Sequence, residues 1–159
     1  MRRLSGWAAA AAVVLLGLAA AVFWLERPPV GVVEPAWDRD ACGYCRMHVS
    51  EPAFAAEIQT ADGEIVFFDD PGCLFLWQEE NHAAARATFF HHYREDRWLS
   101  SPRVGFAPTA PTPMAWGLGA VDADAPGAIG LDEARRRTAA LAAAKRTAGA
   151  AADRADAPR

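Results

Sequence analysis

Two thiols and a thioether lie close together in Cys42-Gly-Tyr-Cys45-Arg-Met47, a spacing that lets all three sulfurs converge on one soft cation. Thiolate and thioether donors together select Cu(I) over hard metals. Zinc competes for the same residues, since Cys42, Cys45 and Cys73 with His82, His91 or His92 would complete a Cys₃His tetrahedron. Spacing alone leaves copper and zinc open. A thioredoxin-type redox pair is a third use of Cys-x-x-Cys, but such a pair sits at a strand-to-helix junction, whereas this one precedes a hairpin pattern. Covalent haem attachment requires histidine directly after the second cysteine, and Arg46 stands there.

The chain holds three cysteines, an odd number that excludes a complete intrachain disulfide framework and directs attention to chemistry at the sulfurs. Met114, in Thr112-Pro113-Met114, is a further candidate thioether, with gap-filling in the core as its other use. Neighbours on a strand point to opposite faces, so His91-His92 is expected to give one buried and one exposed histidine. No Gly-x-Ser-x-Gly elbow, phosphate-cradling glycine loop or His-Glu-x-x-His is present, so the sequence reads as a binding protein rather than an enzyme. Asp69-Asp70 is a carboxylate pair that helix capping explains.

These residues need elements to position them. Gly43 allows a tight turn between the two thiols. Phe54 to Thr60 and Glu64 to Asp69 are apolar, β-branched runs joined by Ala61-Asp62-Gly63, which predicts a β-hairpin. Asp69-Asp70-Pro71-Gly72 then reads as a cap with proline in the first turn of a helix over Cys73 to His82. Cys73 falls in that first turn, where a thiolate is electrostatically favoured. Thr88 to Tyr93 reads as a strand, with Trp98-Leu99 continuing a second hairpin. Pro108 to Pro113 reads as a loop, and Met114 to Val121 as another strand.

Outside this region, an unbroken apolar run from Trp7 to Leu25 follows Arg2 and Arg3, long enough for a membrane span with its far side outward. A cleaved signal peptide is the competing reading, with Ala19-Ala20-Ala21 as the small residues for a peptidase. The organisation expected is an anchor over residues 1–25, an extended linker over 26–38, a site-bearing domain over 39–130, and an alanine-rich tail over 131–159. In that tail Leu131 to Ala144 has helical propensity, and the last dozen residues read as disordered. Residues 26–130 carry 7 arginines against 16 carboxylates, an acidic balance that argues against nucleic acid as a partner.

Cys42-Gly-Tyr-Cys-Arg-Met47, Phe54-Ala-Ala-Glu57, Asp62-Gly63, Phe68-Asp-Asp-x-Gly72-Cys73-Leu74, Trp98 and Thr112-Pro113-Met114 follow one another in an order and spacing that resemble the NosL-type accessory proteins of nitrous oxide reductase. The resemblance covers about Asp40 to Val121. It implies an α+β fold of small β-β-α-β units, which here would follow the N-terminal transmembrane helix expected from the apolar run. It also implies a periplasmic chaperone that supplies Cu(I) for the copper centres of nitrous oxide reductase, and the apolar run would anchor it in the bacterial inner membrane in place of a lipid. Cys45 and Met47 then take the copper-ligand role, with Cys42 and Met114 as further contributors. Two departures stand out: the chain has no cysteine ahead of Cys42 to carry a lipid, and Arg46 replaces the glycine usual between the second cysteine and the methionine.

Overall fold

The computed structural model describes residues 2–25 and 30–155, without the side chains of 2–6, 8, 9, 25, 153 and 155. The chain forms two compact units, Met1–Gly31 and Val32–Arg159. The first is a single helix, α1 (Arg2–Leu25), on which the consecutive side chains Val13, Val14, Leu15 and Leu16 are all exposed. Four successive residues point in four directions around a helix, so α1 has no polar side there. Among the described residues no helix is long and apolar enough to cross a membrane. The segment expected as a transmembrane helix over residues 7–25 lies within the helix Arg2–Leu25.

The second unit is mixed α+β, as expected. Its elements are β1 (Ala56–Thr60), β2 (Ile65–Phe68), α2 (Pro71–Asn81), β3 (Ala85–His91), β4 (Trp98–Ser100), β5 (Val104–Pro108), β6 (Leu118–Asp122) and α3 (Leu131–Ala155). Four strands form an antiparallel sheet in the order β2-β1-β3-β4, and β5 pairs with β6 as a separate ribbon. One β-β-α-β unit, β1-β2-α2-β3, is therefore present. The second half differs, because β5 and β6 lead into α3 and, among the described residues, no further strand closes a second unit.

The β1–β2 hairpin turns where the sequence predicts. Gly63 takes a φ of +96°, a conformation that glycine adopts without steric cost, and the Thr60 Oγ1 accepts the Glu64 N–H at 2.9 Å. β1 lies between two neighbours and is buried along its whole length. Its odd-numbered residues carry a polar network: Glu57 accepts the Val33 N–H at 2.9 Å and the Gln59 amide at 2.6 Å. Val33 thus belongs to the folded unit, and Trp98 Nε1 donates to neighbouring Glu34 at 2.8 Å. The segment read as a spacer is, from Val32 on, a strap across the sheet; residues 26–29 lie outside the described set.

The other face of the sheet meets α2 and the β5–β6 ribbon in an aromatic cluster, where Phe75, Phe90 and Phe106 lie 5.1–5.8 Å apart in tilted and edge-to-face pairs. α3 closes this core. Ala134, Thr138 and Ala142 recur every four residues, are all buried, and let the helix come close to α2, while Arg135 lies over Phe75 and donates to Gln78 at 2.6 Å. The helix also continues to Ala155, past the point where the composition reads as disordered. Alanine-rich sequence has high helix propensity, and anchoring of the first turns supplies the nucleus that an isolated tail lacks.

Candidate metal centre

Cys42 and Cys45 sit on a loop closed at its base by the Ala41–His48 bridge, with Cys42 N–H donating to Met47 O at 2.7 Å and Arg46 N–H to Cys42 O at 3.1 Å. The turn is tight, but the residue in the left-handed region is Arg46, at φ +66°. Gly43 serves a different end. A Cβ there would stand 2.4 Å from a methyl of Val66, so glycine lets the loop lie directly on β2, where its N–H donates to Phe67 O at 2.8 Å.

Cys73 reaches the loop from the first turn of α2. Asp70 caps that helix by accepting the Gly72 N–H at 2.9 Å, and its other oxygen accepts the Met114 N–H at 3.3 Å. One buried carboxylate therefore holds both α2 and the Met114 loop. Asp69 has a separate task, accepting the Ser50 N–H at 3.1 Å, so capping explains only half of the carboxylate pair.

Loop and helix together bring the Cys42, Cys45 and Cys73 sulfurs within 4.8 Å of one another, a group that could hold a metal ion. All three are free thiols; Cys42 and Cys73 are fully buried and Cys45 is half-buried. The electrostatics differ among them. Cys42 is held well below the usual thiol value, chiefly because the Cys73 S–H donates to it, with backbone N–H groups of Asp69, Cys45 and Tyr44 adding to the effect against the cost of burial. Donation to Cys42, together with burial, pushes Cys73 up, and burial raises Cys45. Cys42 is thus the sulfur prepared to carry negative charge, and metal binding would have to displace the proton of its neighbour.

The thioethers stand differently. Met47 follows the thiols along the loop, is 55% exposed, and its backbone favours the Cys45 thiolate. Met114 is half-buried in a turn, packed against the core, and precedes β6, which starts only at Leu118. Left-handed Ala115 and Gly117 break the strand expected there. No histidine joins the thiol group among the described residues. His82 ends α2 in a left-handed conformation, at φ +49°. His91 and His92 are both buried, contrary to the expectation of one exposed ring. His91 packs against Trp98 and lies 3.3 Å from Asp96, while His92 Nδ1 accepts the Arg94 and Glu95 N–H groups and its Nε2 faces Glu95 and Asp122. The charged turn after β3 folds back over both rings. Neither is placed to ligate with the thiols.

Sequence reasoning named Cys73 as a zinc ligand but not among the copper ligands, and did not single out Trp116. The first had a signal in its place on the capped turn of α2. The second had none, since only tertiary packing brings residue 116 beside residue 73. No family model matches the chain, and neither does any curated protein or solved structure.

Proposed function

We propose that this protein is a Cu(I) carrier whose metal sits on Cys42, Cys45 and Cys73, with Met47 as the exchangeable ligand at the rim and Met114 as a further contributor. The observation that carries the reading is the group of three convergent thiols without a histidine. Cu(I) is satisfied by two or three soft donors, whereas structural zinc takes four and closes its shell. Burial falls from Cys42 and Cys73, through Cys45, to Met47, so an ion on the thiols stays approachable from one side. A partner's sulfur or imidazole can then join before the first ligands leave.

A thiol oxidoreductase fits less well. That chemistry needs an accessible nucleophile of low pKa, and here the lowered thiol is buried while the accessible one is raised. The resemblance to NosL-type proteins supports a periplasmic role and nitrous oxide reductase as recipient. The apolar run from Trp7 to Leu25, with no polar side on its described part, supports a membrane anchor that leaves the second unit on the outer face.

The test is a competition titration of the reduced full-length chain in detergent with Cu(I) and with Zn(II). One equivalent of Cu(I) should bind, and Cys73→Ser and Met47→Leu should each weaken it by about tenfold or more, which is about 1.4 kcal/mol. If Met47→Leu binds Cu(I) as tightly as the parent, or if zinc binds more tightly and is needed for folding, a structural zinc module replaces the carrier.

A further inference from the structure

The side chain of Trp116 is buried against the helix turn that bears Cys73. Its ring lies so close to Gly72 that a Cβ on that residue would stand 2.4 Å from the indole, and this is the contact that requires glycine beside the third thiol. Its Nε1–H is fully buried and has no hydrogen-bond partner of ordinary geometry. Buried indole N–H groups nearly always find an acceptor, because leaving one without is costly. The ring packs on Gly72, next to Cys73, so the sulfur of that cysteine is the acceptor the site can offer it.

A second residue holds the ring as well. Lys145 of α3 places its Nζ 4.0 Å from the ring centroid and donates to the Met114 and Ala115 carbonyls at 3.1 and 3.3 Å. One ammonium therefore grips both the indole and the turn that carries it. Contacts with both Gly72 and Lys145 leave the ring little freedom to turn away.

We propose that Trp116, held by Lys145 from the C-terminal helix, is a positioning residue of the metal centre whose indole N–H hydrogen-bonds the Cys73 sulfur when that sulfur is a charged ligand. The proposal rests on the thiolate-site reading above. A neutral Cys73, with its proton committed to Cys42, is a weak acceptor; once a metal takes that proton's place, the sulfur becomes the acceptor that the indole lacks. Such outer donors commonly tune a metal site by one to two orders of magnitude in affinity. α3 would then be part of the centre rather than an appendage.

The experiment compares the full-length parent with Trp116→Phe, which keeps an aromatic ring and removes only the donor and the second ring, using Cu(I) alone and Cd(II) alone as probes. Removing the hydrogen bond should move the sulfur-to-Cd(II) charge-transfer band to lower energy and weaken metal binding roughly tenfold. Lys145→Gln should shift both readouts in the same direction by less. In the parent, the Trp116 indole proton should move downfield on Cd(II) loading. A ring that merely packs predicts an unmoved band and affinity in Trp116→Phe, and either result overturns the proposal. An unmoved indole resonance overturns it whether or not the variant folds. If Cd(II) produces these changes but Cu(I) binds no better than zinc, the carrier reading fails and the indole role stands. A parent that takes up neither metal overturns both.

Discussion

Arg46 holds the left-handed position that lets the loop turn from Cys45 to Met47, and a Cβ there costs about 1–2 kcal/mol relative to glycine. Arg46→Gly should therefore stabilise the unit by up to about 1 kcal/mol in denaturant unfolding, part of the gain being lost to the freer unfolded chain. A drop in stability would show that the arginine side chain contributes more than its backbone costs. Glu57 invites a pH measurement. Burial raises its pKa, so the folded state holds this proton more tightly than the unfolded state, and the stability it contributes is complete at low pH and lost as pH rises through the raised value. The stability of the parent relative to Glu57→Gln should accordingly grow as pH falls from neutrality toward the ordinary carboxylate range. A difference that is flat with pH, or that shrinks on acidification, would contradict this. At this scale the sequence was partly legible. Cys42 and Cys45 announce themselves by spacing and Cys73 by its place on the capped turn of α2, whereas Trp116 becomes a neighbour of the site only through the turn after Thr112, which no local pattern encodes.

Local chemistry specified the hairpin and the capped helix to within two residues at each end, because Asp62-Gly63 and Asp70-Pro71 act within a few residues of themselves. Gly63→Val meets open space, so its cost is the backbone conformation alone, about 1–2 kcal/mol. Little change in the unfolding midpoint would mean that the turn relaxes to another type. β5 was not read as a strand, since Gly105 and Pro108 interrupt its pattern and its pairing partner lies beyond a proline-rich loop. α3 was read only to Ala144, because its buried side is made of small residues whose role appears when α2 lies against them. That packing is directly testable. Ala134→Leu should overfill the interface and cost about 1–3 kcal/mol, while Ala140→Leu, on the exposed side, should cost almost nothing. Equal effects at the two positions would mean that α3 does not pack as described.

At the scale of the whole molecule, the boundary at Gly31 and Val32 separates a lone apolar helix from a unit with its own core. A fragment beginning at Val30 should be soluble without detergent and unfold cooperatively at the same denaturant concentration as the full chain; a broad or earlier transition would show that the first unit contributes to the fold of the second. The six tryptophans are distributed unevenly over these two units. Trp7 and Trp24 are exposed, Trp37, Trp77 and Trp98 are half-buried, and Trp116 is buried beside Cys73. Indole emission shifts to the blue as its surroundings become less polar, and an excited indole readily loses its energy or an electron to a neighbouring metal thiolate. The protein thus carries its own optical gauge of occupancy: metal loading should dim the blue edge of the emission first, leave the red edge from the exposed rings nearly constant, and do neither in Trp116→Phe.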